Sequence, residues 1–298
     1  MSNLVQRLLV AAIGIPIVVL IVLLKPFAFL GLLAMLAAVT VHEYYGLSKA
    51  KGLRPQVVLG CTATGLVVLT FAQLRLTTIL HLPAGSATSL QPIVALLILL
   101  FVVVFFVEMF RELPNPFMQI SVTISGVIYI GLGLGALFGV REFFYLREAA
   151  VRATESGASL PIDAGLFTVV VLASIWICDS GAYFGGRAMG KHLLLPRISP
   201  NKTWEGAFWG AITAWGTWFA ARAIFPGLSA LRPIDCFVFG VIVGVFGQMG
   251  DLAESLLKRD AGVKDSSQLL PGHGGMLDRL DSILFVSPLV YLYLQLAM

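Results

Sequence analysis

Three observations predict an all-α, polytopic integral membrane protein with about nine transmembrane helices. Of 298 residues, 58% are hydrophobic and only 12% are charged, where soluble domains average about 45–50% and about 25%. The apolar residues form continuous runs rather than alternating with polar ones, which argues against a β-barrel. Most runs are close to the ~20 residues that a bilayer core demands of a helix.

In chain order the runs cover roughly 4–24, 27–46, 56–74, 91–109, 119–140, 165–185, 204–225, 234–257 and 281–297. The first follows a short leader containing Arg7. It lacks a small-residue cleavage site and is succeeded at once, after Lys25-Pro26, by a second run, so it reads as a retained helix rather than a signal peptide. Pro26, Pro55, Pro83, Pro114, Pro116, Pro161, Pro200, Pro233 and Pro271 punctuate the connections, while Pro16 and Pro288 would kink the first and last helices. Gly131/Gly135/Gly139, Gly181/Gly185, Gly206/Gly210 and Gly240/Gly244 have the spacing of closely packed membrane helices. Cys61, Cys178 and Cys236 sit in apolar runs and form no metal or disulfide pattern. Residues 1–160 are expected to be an N-terminal scaffold with lipid or dimer contacts, and residues 161–298 the catalytic region.

Basic residues set the expected orientation. Of the 20 Lys and Arg, 13 fall at the N-terminus or in the even-numbered loops and 7 in the odd ones. The positive-inside rule then puts the N-terminus in the cytoplasm and the C-terminus outside. Loops six (between the sixth and seventh runs) and eight (before the last) would both face the cytoplasm. No basic–aromatic stripe suggests nucleic acid.

Polar chemistry is concentrated in those two loops and the helix ends beside them. Ser255 to Asp281 contains four cations, four carboxylates, His273 and the pair Gly274-Gly275. Charge beside a bilayer is costly and usually functional, and cations next to carboxylates suit a metal-bridged phosphate. Asp251, Glu254, Ser255 and Lys258 share one helix face, and Asp278, Asp281 and Ser282 repeat the spacing at the start of the last helix. Asp251 and Asp278 are the candidate ligands for Mg²⁺, which is often held by one or two carboxylates plus substrate phosphates. A salt-bridged loop, with Lys258 or Arg259 paired to Asp278 or Asp281, is the competing reading. Pro271-Gly272-His273-Gly274-Gly275 could cradle an anion on its backbone N–H groups, or simply turn tightly.

Asp179 lies inside an apolar run and must either pair with a cation or line a polar cavity. Gly185 to His192 approximates a P-loop, but His192 stands where Ser or Thr belongs and the preceding segment is a membrane helix, so a P-loop is rejected. Ser199 to Gly206 reads as a helix start, with Thr203 as the N-cap and Lys202 and Glu205 at the helix mouth. His42-Glu43 is either a supporting pair behind a site or merely interfacial.

With these residues in view, the chain resembles the phosphatidate cytidylyltransferase (CDP-diacylglycerol synthase) family. Its signature is matched by Ser255, Leu257, Lys258, Arg259, Lys264, Asp265, Ser267, Leu270, Pro271, His273, Gly274, Gly275, Met276, Asp278, Arg279, Leu280 and Asp281. Asp179-x-Gly-Ala-Tyr183 and Ser199-Pro-x-Lys-Thr-Trp-Glu-Gly206 are similar too, with Asn201 where Lys is frequent. The similarity is strong over about the last 120 residues, while the first 160 match in hydrophobic character only. It implies a homodimer in the bacterial inner membrane that converts CTP and phosphatidic acid to CDP-diacylglycerol and pyrophosphate. It also implies Mg²⁺ at Asp251 and Asp278, with a second cation left open. Lys202, Lys258, Arg259 and Lys264 would hold phosphates, Asp281 and Arg279 would orient the ligands, and Ser199, His273, Gly274, Gly275 and Asp179 would line the substrate site.

Two rival enzymes fit less well. A CTP-dependent polyprenol or phytol kinase needs a general base for its hydroxyl acceptor. A CDP-alcohol phosphotransferase needs an upstream acidic motif that is absent here. A transporter should show paired halves or broken helices at mid-membrane, and the chain has no internal repeat.

Overall fold

A computed structural model describes residues 3–73, 91–154, 162–267 and 274–298. Among the described residues, each of the nine apolar segments is mostly helical. They form α1 (Asn3–Leu24), α2 (Pro26–Ala50), α3 (Val57–Thr70), α4 (Gln91–Met109), α5 (Pro116–Gly126), α6 (Gly133–Thr154), α7 (Ala164–Met189), α8 (Trp204–Ile224), α9 (Pro233–Val241), α10 (Gln248–Asp260) and α11 (Leu277–Ala297). α5 runs into α6 through a π-helical turn, Val127–Leu132, and α9 into α10 through another, Ile242–Gly247. α1 and α11 continue through Pro16 and Pro288.

Among the described residues, six helical rods are long and apolar enough to cross a membrane: Pro26–Ala50, Gln91–Met109, Pro116–Tyr145, Ala164–Met189, Pro233–Asp260 and Leu277–Ala297. Gly14–Leu24 and Val57–Thr70 are shorter apolar helices. α8 has the length but is built largely from Gly, Ala, Thr and Trp rather than Leu and Val. A Leu-rich segment announces a span more loudly than such a small-residue helix does. On α4, Val94, Ile98, Phe101, Val102, Phe105 and Phe106 are exposed, a surface that water would penalise and hydrocarbon accommodates.

The chain sorts into two compact units, each assembled from distant segments. The first comprises Met1–Val18, Pro26–Gly139 and Leu257–Leu280; the second comprises Val19–Lys25, Val140–Leu256 and Asp281–Met298.

In the first unit, Ala63, Val67, Leu100, Val104 and Val127 form an apolar core between α3, α4 and the first π turn. Tyr45 is fully buried against Gly60 and Gly126, and its hydroxyl donates to the Thr123 carbonyl at 2.7 Å. Two buried polar side chains of this unit pair with each other. Gln56 Nε2 donates to Glu108 Oε2 at 2.8 Å, and Arg111 reaches the same oxygen at 2.8 Å.

In the second unit, α7 packs along α8 through small residues. A Cβ on Gly210 would lie 3.1 Å from the Cys178 carbonyl oxygen, and one on Gly206 would lie 2.8 Å from that of Ala182. The expected close-packing role of this glycine spacing is what the structure contains. Phe167, Trp218 and Phe239 stack into the core, with ring centroids 4.6–5.2 Å apart.

Loop six contains an element absent from the sequence reading. Leu193–Leu195 and Ser199–Thr203 form an antiparallel hairpin, β1–β2. The predicted cap does form, because Thr203 Oγ1 accepts the Gly206 N–H at 3.1 Å.

Candidate active site

The predicted residues fall into two clusters, one in each unit. In the first, the segment after α10 folds back onto the start of α11. Asp278, in the first turn of α11, accepts hydrogen bonds on Oδ2 from Ser266 N at 2.9 Å, Ser266 Oγ at 2.7 Å and Gly275 N at 2.8 Å. Its Oδ1 faces Lys258 Nζ at 2.5 Å. The salt bridge that competed with the metal reading is therefore present at Lys258–Asp278, and Asp278 could offer a metal only Oδ1, in exchange with that ammonium.

The described part of the glycine turn faces the protein's own carboxylates. Gly274 has φ +80°, a conformation that favours glycine. A Cβ on Gly275 would lie 2.0 Å from Ser266 Oγ and 2.6 Å from Glu43 Oε2. The Gly275 N–H already binds an anion, the protein's own Asp278. Lys264, Arg259 and Arg279 are exposed around this fold. His273 lies outside the described residues.

Glu43 is the residue whose role the sequence left open. Its side chain is buried on α2, with the residue 5% exposed. Oε1 accepts from Ser267 Oγ at 2.6 Å and Met276 N at 3.0 Å; Oε2 accepts from Ser266 Oγ at 3.2 Å and Leu277 N at 2.8 Å. A carboxylate in an apolar helix needs such partners. That was a usable signal at the sequence level, but it could not say where in the chain the partners lay.

The second cluster contains Asp179 on α7, Lys202 on β2, Asp251 and Ser255 on α10 and Asp281 on α11. Gly250 makes it possible: a Cβ there would sit 2.5 Å from the Asp281 carbonyl oxygen, so α10 and α11 touch backbone to backbone. Lys202 Nζ pairs with Asp251 Oδ2 at 2.6 Å, and Ser255 Oγ donates to Asp251 Oδ1 at 3.3 Å. Asp251 repels both Asp179 and Asp281, Asp179 repels Asp281, and Lys202 attracts both. Lys202 thus stands among three carboxylates.

Among the described residues, no three His, Cys, Asp or Glu side chains converge as a ready-made metal cage. Mg²⁺ does not ask for one, since one or two carboxylates plus substrate phosphates are its usual ligands. The surplus of hard anionic oxygen around Asp251 fits that ion.

Glu205, in the first turn of α8, is engaged within loop six. It staples loop six, accepting from Lys191 N at 3.1 Å and His192 N at 3.2 Å, with Oε1 2.6 Å from His192 Nδ1. Ser199 opens β2, and the same strand carries Lys202 to Asp251.

Bilayer-length apolar helices that carry a lysine–carboxylate pair and an acidic cluster make this an integral membrane protein with its charge gathered at two places. The family is shown by comparison. The chain belongs to the Cytidylyltransferase family, whose model matches residues 5–297. A phosphatidate cytidylyltransferase of Synechocystis sp. is 31% identical over 306 residues, covering 98% of this chain and 96% of that one. The Bacillus subtilis enzyme of the same name is 50% identical over 125 residues, covering 41% of this chain and 45% of its own length. That of Staphylococcus saprophyticus is 39% identical over 178 residues, 60% of each chain.

Proposed function

We propose that the protein transfers the cytidylyl group of CTP to phosphatidic acid, releasing pyrophosphate and forming CDP-diacylglycerol. The observation that carries this reading is the pairing of two charge environments: carboxylates in surplus around Lys202, and a strap that holds Lys258 against Asp278. Both suit a reaction between two anions, with neutralisation rather than proton abstraction as the main task.

An oxygen of the lipid phosphate attacks the α-phosphorus of CTP. A new P–O bond forms there, the bond to the β-phosphate bridging oxygen breaks, and pyrophosphate departs with the electron pair. The nucleophile is already an anion, so no side chain has to deprotonate it. Lys202, Lys258, Arg259 and Lys264 would hold phosphate oxygens, and fixed cations acting on developing charge are typically worth a large part of the acceleration. Asp251 and Asp278 are the proposed holders of Mg²⁺, with Asp281 and Asp179 beside Asp251. Bound there, Mg²⁺ would offset the charge of the phosphates. Arg279 would orient this acidic end of α11, while Ser199, His273, Gly274 and Gly275 would shape the substrate-facing loops. The number of membrane crossings is proposed as nine, with the N-terminus and both polar loops in the cytoplasm of a bacterial inner membrane. The functional assembly is proposed to be a homodimer.

The test is pyrophosphate release by the purified protein in mixed micelles with CTP, with and without phosphatidic acid, together with product analysis. Release that depends on phosphatidic acid and yields CDP-diacylglycerol is expected. CDP as product with a lipid alcohol as acceptor would move the protein to the kinase reading.

A further inference from the structure

We infer that Glu43, far from the signature in sequence and outside it, is a positioning residue for the active loop; the inference rests on the function proposed above. Glu43 is separated by 223 to 234 residues from the four donors that it receives. Two of them, Met276 N and Leu277 N, are orphan amides at the start of α11, which no intrahelical carbonyl can satisfy. The other two, Ser266 and Ser267, belong to the segment that wraps Asp278. One carboxylate on α2 therefore joins Ser266 and Ser267, which follow Lys264, to the Met276 and Leu277 amides, which follow the glycine pair.

Ser266 makes the coupling direct. Its hydroxyl lies 2.7 Å from Asp278 Oδ2 and 3.2 Å from Glu43 Oε2. Its single proton serves one carboxylate at a time, so the hydroxyl is shared between Asp278, at the shorter distance, and Glu43. Gly275 must lack a Cβ because the Glu43 carboxylate occupies that space.

The chemistry requires a carboxylate rather than an amide. Oε1 and Oε2 each accept a backbone N–H, from Met276 and Leu277 respectively. A glutamine of the same shape would turn an NH₂ group toward one of them. Donor would then face donor inside a buried site, whichever way the amide is flipped.

The test compares Glu43→Gln, Ser267→Ala and wild type as full-length protein in mixed micelles with CTP and phosphatidic acid. Amide hydrogen exchange at Met276 and Leu277 is measured in parallel. Glu43→Gln should speed exchange at those two amides, lower kcat about 10–100-fold, the scale for removing a group that orients a site, and raise KM for CTP or phosphatidic acid about tenfold. A residue that only supports folding would reduce the active fraction and leave both KM values alone, so unchanged KM values overturn the inference whatever happens to kcat. Should Glu43→Gln not fold, Ser267→Ala, which removes one of the four donors, should raise KM about threefold; no change there overturns the inference equally. A wild-type protein that makes no CDP-diacylglycerol would sink the proposed function instead, while the exchange measurement still reports on the strap.

Discussion

The two carboxylate clusters solve opposite electrostatic problems. Around the strap, the oxygens of Glu43 and Asp278 are met by backbone amides, serine hydroxyls or Lys258. Around Asp251, three acidic side chains share Lys202. The first arrangement is internally neutralised and therefore holds shape. The second gathers carboxylates that repel one another, an arrangement that a divalent cation would relieve. Removing an acid should hence cost stability in the first cluster and little stability in the second.

The largest expected effect comes from setting Asp251→Asn against Asp278→Asn. Both should lower pyrophosphate release by about 10²–10³, the scale for losing one preorganised charge contact. They should part company in stability. Asp278→Asn turns an amide toward groups that now donate to it, and should cost about 1–3 kcal/mol. Asp251→Asn removes a repelling charge and should leave the detergent-solubilised melting temperature nearly unchanged. Equal destabilisation by the two variants would erase the distinction.

Gly275→Ala probes the strap alone. Its methyl group would overlap Ser266 Oγ and Glu43 Oε2, and overpacking of this kind costs about 1–3 kcal/mol. The melting temperature should fall and turnover with it. Gly216→Ala, where nothing lies within 4 Å of the new methyl, serves as the control.

Magnesium probes the part that Asp251 plays in metal binding. A ligand that binds only the folded protein stabilises it by about 2.7 kcal/mol at a hundredfold excess over Kd. Thermal unfolding in detergent without substrates should shift upward with Mg²⁺ in wild type and shift less in Asp251→Asn. An equal shift in both proteins would remove Asp251 from the metal site.

The smallest effect belongs to Lys51→Ala. Lys51 pairs with Asp260 at 3.0 Å, but the two side chains are 46% and 66% exposed. Such pairs are worth about 0–1 kcal/mol, so stability and turnover should barely move. A large loss would mean that charge in the first unit matters beyond the strap.

The helices were legible in the sequence because bilayer-length apolar runs leave the backbone one economical way to satisfy its hydrogen bonds. The Thr203 cap was legible because an N-cap is a local bond three residues long. The hairpin in loop six was not: Leu193–Leu195 and Ser199–Thr203 show no alternation, and the pairing depends on Glu205 tying down Lys191 and His192. Nor was the use of the glycine pair legible. Three glycines in four positions suit an anion nest or a bare turn equally, and only the fold reveals that protein carboxylates occupy the space.

By itself, then, the sequence determined composition, helical segments and the residue types gathered at the polar loops, all of which follow from local spacing and from solvent preference. The tertiary structure alone decided which carboxylate meets which donor. Glu43 and Leu277 are 234 residues apart, and no periodicity links them. What links them is the cost of burying an unsatisfied charge, and that cost can be met only by groups that folding brings within hydrogen-bonding distance.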